Sequence, residues 1–327
     1  MRPDVTVVLP IYNVEKYISK CLDSLLKQTY NNFVVWAVDD GSPDRSKEIV
    51  KEYEMKDPRI HLICKKNGGY GSVLEYCIKN ISTEYFLICD PDDWLEENSL
   101  EVLHQYAVSS KADLIIADKY DVYIENNKKV YDSTLSEKII KPGMSYEKKF
   151  DIQKFALGKV SPHAKFYRTS IAKNISFPHH ISYTDTILYL VALENARKVI
   201  YVNKPLAYYL TNRPGNSSTS IKPKVIDDYI EMWNSLYSQL SKTLNKSPVM
   251  CLKLYDLILL ILHECGRIKI KKSSYKLKIK YLIKKIKPYK KEIYLVGRDR
   301  SYKSKMVMHC LLQNNITSDI LINYYLR

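Results

Sequence analysis

Two acidic clusters stand out early in the chain, Asp39-Asp40-Gly41-Ser42 and Asp90-Pro91-Asp92-Asp93-Trp94. Three carboxylates within four residues repel one another. A divalent cation, with its preference for hard oxygen ligands, turns that repulsion into binding. The second cluster therefore points to metal-assisted chemistry on an anionic substrate. The first has two readings, a part of the same site or a turn followed by a helix cap. Asn67-Gly68-Gly69-Tyr70-Gly71-Ser72 adds a glycine segment that is either a plain loop or one whose backbone N–H groups approach a nucleotide at a helix N-terminus. His163, within Ser161-Pro162-His163-Ala164-Lys165, and the pair His179-His180 lack metal-ligand spacing, so His163 reads as structural or acceptor-facing.

The elements that must position these residues are short and regular. Val5-Thr6-Val7-Val8-Leu9, Phe33-Val34-Val35-Trp36-Ala37-Val38, Ile60-His61-Leu62-Ile63-Cys64 and Tyr85-Phe86-Leu87-Ile88-Cys89 are continuous apolar runs, as expected of strands buried on both faces. Between them apolar pairs recur at helical spacing: Tyr17-Ile18 with Cys21-Leu22 and Leu25-Leu26, Ile49-Val50 with Tyr53, and Val73-Leu74 with Cys77-Ile78. This alternation predicts an α/β fold, a mostly parallel, doubly wound sheet with helices on both faces. In such sheets ligands bind beyond the carboxyl ends of the strands, where both acidic clusters fall. Further on, residues 100–108 read as a helix and 112–117 as a buried strand. Residues 120–150 read as an insertion turning at Asn126-Asn127-Lys128-Lys129. Helices are expected at 186–196 and 225–245, with a strand at 199–202 and a polar loop at 212–220.

The run Val7-Val8-Leu9-Pro10-Ile11-Tyr12-Asn13, followed by Asp39-Asp40-Gly41-Ser42 and Asp90-Pro91-Asp92-Asp93, resembles family 2 glycosyltransferases in order and spacing over about residues 4–220. The resemblance implies the GT-A fold, with a nucleotide diphosphate sugar lying across the strand ends and Mn²⁺ or Mg²⁺ bridging its diphosphate. It implies that Tyr12, beside Pro10, stacks on the base, that Asp40 accepts from the base, and that Asp90 and Asp92 are the metal-and-ribose pair, Asp93 being a weaker member. A uracil offers a flat face to an aromatic ring and an imide N–H to a carboxylate, which agrees with these roles. By the same resemblance Asp185, in Ser182-Tyr183-Thr184-Asp185-Thr186, is the base of an inverting transfer, with Thr184 where relatives commonly carry Glu. An Asp in a helix's first turn is also what the dipole favours. Asn67 and Gly69 fall where relatives meet the nucleotide, but Leu74-Glu75-Tyr76 stands in place of their Ala-Arg-Asn. Arg213, in Arg213-Pro214-Gly215-Asn216-Ser217-Ser218, resembles a loop arginine that meets the diphosphate on closure, or is a solvated loop residue.

Charge divides the chain. Residues 1–100 carry 12 Lys/Arg against 17 Asp/Glu, whereas residues 241–327 carry 20 against 5, a net of +15 equal to that of the whole chain. The expected division is a GT-A catalytic domain over 1–220 and a basic, mainly helical region over 221–327. In the latter, the apolar run 257–262 is too short to span a bilayer. Between 267 and 291, Lys and Arg interleave with Ile268, Ile270, Leu277, Ile279, Tyr281, Leu282, Ile283, Ile286 and Tyr289. That mixture suits an anionic membrane surface or a solvated face of a packed helix. The last segment reads as a strand at 293–296, a helix at 306–312 and a strand at 320–322.

The same charge suits nucleic acid, but the chain has no recognisable nucleic-acid module, and none is expected as a partner. The apolar start after Met1-Arg2-Pro3-Asp4 is too short for a signal h-region, and the seven cysteines lack a Cys-x-x-Cys pair. A cytoplasmic enzyme with buried, reduced thiols, peripheral at the inner face of the membrane, is the expectation. Its substrates are then a nucleotide-sugar donor, UDP before dTDP or GDP, and a glycan or lipid-linked saccharide acceptor in surface polysaccharide synthesis. A nucleotidyltransferase and a non-catalytic membrane- or polyanion-binding protein are the alternatives. The sequence specifies no oligomeric state.

Overall fold

The computed structural model describes residues 3–214, 222–268, 273–313 and 315–326. Contacts divide the chain into two compact units, Met1–Thr219 and Ser220–Arg327.

The first unit begins β1 (Val5–Ile11), α1 (Ile18–Leu26), β2 (Phe33–Asp39), α2 (Ser46–Lys56), β3 (Ile60–Cys64), α3 (Tyr70–Asn80) and β4 (Tyr85–Ile88). All seven residues of β1 are buried, because this strand is central, parallel to β2 on one side and β4 on the other. Val5, Val7, Leu9 and Ile11 pack on α1 through Ile18, Cys21, Leu22 and Leu25. β3 is the edge, and its Cys64 is exposed, unlike the buried Cys21, Cys77 and Cys89.

β5 (Trp94–Leu95), α4 (Ser99–Ser110), β6 (Leu114–Tyr123), β7 (Lys129–Asp132), β8 (Ser145–Tyr146), α5 (Lys149–Gln153), β9 (Lys165–Arg168), α6 (Thr184–Asn195) and β10 (Val199–Thr211) follow. The sheet order is β3-β2-β1-β4-β9-β6-β10-β5, with β7 on β6 and β8 on β10. The sheet is thus mixed: its first four strands are parallel, and β9 inserts antiparallel between β4 and β6. β10 runs well past the expected 199–202, because the exposed Asn203-Lys204 before Pro205 forms an irregularity in the ladder and not its end. Beyond it, Ala207 and Tyr208 pair with Leu95 and Trp94, pinning the second acidic cluster to the sheet. In α6 ten of twelve residues are buried, the pattern of an internal helix.

The second unit, among the described residues, is helical: α7 (Lys224–Leu240), α8 (Pro248–Ile268), α9 (Ser273–Ile286), α10 (Lys290–Gly297), α11 (Tyr302–Leu312) and α12 (Asn315–Tyr325). The strands expected at 293–296 and 320–322 are helices. Their buried positions, Ile293 with Gly297 and Ser318 with Ile322, recur at four residues, and an apolar run of three or four does not by itself separate strand from helix. Of the apolar residues interleaved with lysine after 267, Ile279, Leu282, Ile283 and Ile286 are buried in the unit's core, while Ile270 lies outside the described residues. No described helix is long and apolar enough to cross a membrane.

Candidate active site

The glycine segment is held by Asp40. Its buried carboxylate accepts from Lys65 Nζ at 2.5 Å and Gly69 N at 2.7 Å, and from Gly68 N at 3.0 and 3.2 Å. Asn67 Nδ2 donates to the Asp40 carbonyl at 2.8 Å. A carboxylate offers about four lone-pair positions, so these three donors leave about one for a base N–H. Lys65 also donates to Ser72 Oγ at 2.8 Å, tying the loop to the start of α3. Asp40 N bonds Ile11 O at 2.9 Å, which sets Asp40 beside the strand end that carries Tyr12; the Tyr12 ring is 53% exposed.

Gly69 has φ +80°, and a Cβ there would lie 3.0 Å from the His180 backbone. Gly69→Ala is therefore expected to cost about 1–2 kcal/mol, read as a lower urea midpoint at unchanged slope. An unchanged midpoint would show that the 178–184 segment moves freely off the loop.

The second cluster lies where the β1–β4 ladder stops. That ladder closes at Val8↔Ile88, and Pro10 has no N–H to extend it. Asp90 Oδ1 accepts from Tyr70 Oη at 2.7 Å. Burial, then the charges of Asp93 and Asp92, push the Asp90 carboxyl up to about 7. Asp93 Oδ2 lies 2.6 Å from His163 Nε2, and its Oδ1 accepts from Leu210 N at 2.8 Å. Burial raises Asp93 well above the carboxylate range and holds His163 down to about 4. Asp92 is paired with Arg213 Nε, whose guanidinium lies 5.4 Å over the Tyr17 ring. Residues 215–218 of that arginine's loop lie outside the described residues.

Asp185 occupies the first turn of α6. Burial raises its carboxyl, opposed by backbone N–H bonds and by the charges of Lys165 and His163. Tyr70, bonded to Asp90, also feels the Asp185 charge, and burial with these two carboxylates keeps its hydroxyl protonated. Asp90, Asp93, His163, Tyr70 and Asp185 therefore share one electrostatic neighbourhood at one end of the sheet. Thr184 is fully buried with no partner for its hydroxyl. Glu75 accepts from His179 Nε2 at 2.9 Å and pairs with Lys79 at 3.1 Å, anchoring the segment before α6 to α3.

Asp90, Asp93 and His163 each offer a ligand atom within 4.8 Å of the others, the one such group among the described residues. Two carboxylates and an imidazole suit Mn²⁺, and the raised carboxyls mark crowding that a cation relieves. Asp93 and His163 thus join the group that the sequence centres on Asp90 and Asp92. Their 70-residue separation hid the pairing. Lys65 and Tyr70 were also missed, each lying within or beside the glycine segment and legible only as loop.

Residues 6–176 match the family model described as Glycosyl transferase family 2. The chain is 33% identical over 216 residues to Glycosyltransferase GlyA of Streptococcus pneumoniae, covering 63% of this chain and 30% of that protein. It is 32% identical over 241 residues to Uncharacterized glycosyltransferase MG025 homolog of Mycoplasma pneumoniae, covering 72% of this chain and 76% of that one. Among solved structures, S. aureus TarS 1-349 superposes with TM-score 0.68 at 18% identity over 100% of this chain and 90% of that one. Its complex with UDP-GlcNAc gives 0.60 at 22%, over 92% and 93%; at such identities the likeness speaks for the fold. Carboxylates gathered at the strand ends of a GT-A sheet and a family match over more than half the chain lead to one conclusion: this protein belongs to glycosyl transferase family 2.

Proposed function

We propose that the chain transfers a sugar from a nucleotide diphosphate donor, a UDP-sugar, to a hydroxyl of a glycan or lipid-linked saccharide, inverting the anomeric carbon, in surface polysaccharide synthesis. The carrying observation is the convergence of Asp90, Asp93, His163, Tyr70 and Asp185 beside the glycine loop. The likeness to a TarS structure holding UDP-GlcNAc supports the choice of nucleotide.

In this reading Tyr12 covers the base and Asp40 accepts from it, while Asp40 also fixes the loop that brings Asn67 and Gly69 against the nucleotide. Asp90 and Asp93, with His163, would hold Mn²⁺ or Mg²⁺, whose charge would stabilise a departing diphosphate. Asp92 joins them when Arg213 turns from it to the diphosphate. Asp185, its carboxyl raised by burial, takes the proton of the attacking acceptor hydroxyl. Tyr70 remains a donor and orients Asp90.

The test is a donor screen with Mn²⁺ present. Release of UDP from one UDP-sugar, dependent on a saccharide acceptor, is the expected result; release of pyrophosphate would make the protein a nucleotidyltransferase.

A further inference from the structure

We propose that the outward face shared by α9 and α12 is a docking surface for an anionic phospholipid membrane. The two helices are joined side by side by Lys280–Asp319 at 2.9 Å and, from the turn just after α9, by Lys287 Nζ to Asn315 Oδ1 at 3.1 Å. Each turns its core residues inward: Tyr275, Ile279, Leu282, Ile283 and Ile286 from α9, Ser318 and Ile322 from α12. At 3.6 residues per turn, positions 277 and 281 then point away from the core, as do 316, 320 and 324. Those positions hold large apolar side chains: Leu277 is 70% exposed, Tyr281 54%, Ile316 70%, Ile320 64% and Tyr324 69%.

Charge decides the occupant. α9 carries five lysines and no acid, and the one acid of α12, Asp319, is spent on Lys280. Residues 241–327 as a whole hold 20 Lys/Arg against 5 Asp/Glu. Two copies of such a face brought together by a two-fold axis repel each other. A nucleic acid offers phosphates but nothing for Leu277, Ile316 and Ile320 to bury against. An anionic bilayer offers both, its headgroups meeting the lysines and its acyl boundary the apolar side chains. This narrows the membrane contact within 267–291, where Ile279, Leu282, Ile283 and Ile286 form the core, to Leu277 and Tyr281, and extends it to Ile316, Ile320 and Tyr324 of α12. Lys285 and Lys290 are likewise engaged within the unit, with Asn234 and Gln313.

The experiment is sedimentation of the full chain with phosphatidylcholine vesicles, with and without phosphatidylglycerol. Binding should require phosphatidylglycerol and weaken with salt, as the Debye length falls from about 10 Å at 0.1 M to about 3 Å at 1 M. The triple variant Leu277→Gln, Ile320→Gln, Tyr324→Gln should partition at least ~10-fold less while keeping the wild-type circular dichroism and thermal midpoint. Equal binding to neutral vesicles, or a triple variant that sediments as the wild type does, overturns the proposal. So does a wild-type dimer in ultracentrifugation that binds no vesicles and that the triple variant breaks, since the face is then an interface between copies. None of these readouts involves donor or acceptor, so they stand or fall apart from the proposed transfer.

Discussion

Replacing Asp185 by Asn is expected to lower kcat at least ~10²-fold while nucleotide affinity stays within about twofold. Asn keeps the shape and the hydrogen-bonding reach of the side chain but cannot accept a proton. The wild-type carboxyl is raised by burial, so kcat should fall as pH drops through that raised value, and the variant's residual rate should lack this acid limb. A residue placed only to complement the α6 dipole behaves otherwise: Asp→Asn would then cost about 0.3–1 kcal/mol of stability and leave turnover alone. Stopped assays of UDP release, beside calorimetric titration of UDP, separate the two. Wild-type turnover in the variant would move the base to another group and leave Asp185 as a helix residue.

The parallel half of the sheet was legible because its central strands β1 and β4 are buried on both faces and its helices on one, so the two periods alternate from Val5 to Ile88. Legibility fades where tertiary pairing decides. Pro205 marks an end by local rules, yet β10 continues because β6 and β5 supply partners beyond it. Ile293 and Ile320 begin short apolar runs whose period shows only when their packing is known. The site divides in the same way. Carboxylates clustered in sequence announced themselves at Asp90, Asp92 and Asp93, but the partners that shape their charge come from Tyr70 of α3, His163 just before β9 and the Arg213 strand end. Asp40 also holds partners that no spacing rule connects to it, Lys65 and two backbone N–H groups.

Asp90→Asn should abolish most transfer, by about 10²–10³-fold, and at the same time make the metal-free protein more resistant to heat above pH 7. The sign follows from the raised carboxyl. An unfolded chain releases this proton near 3.8, whereas the folded chain holds it up to about 7. Between those values the unfolded state binds fewer protons, so folding stability falls as pH rises across the window. Asn does not titrate, and its advantage in thermal midpoint should be absent near pH 4, grow toward pH 7 and level off beyond. Added Mn²⁺ should reverse the order at pH 8. Ionised Asp90 and Asp93 would hold the cation, and binding to the native state alone raises the wild-type midpoint by mass action, while the variant, lacking one carboxylate, gains little. Scanning calorimetry of both proteins at pH 4.5 and 8, with and without Mn²⁺, provides the four comparisons. An equal shift of both proteins by Mn²⁺ would remove Asp90 from the cation's ligands, and a variant less stable than wild type at pH 8 without metal would mean that the bond from Tyr70 outweighs the repulsion among the three aspartates.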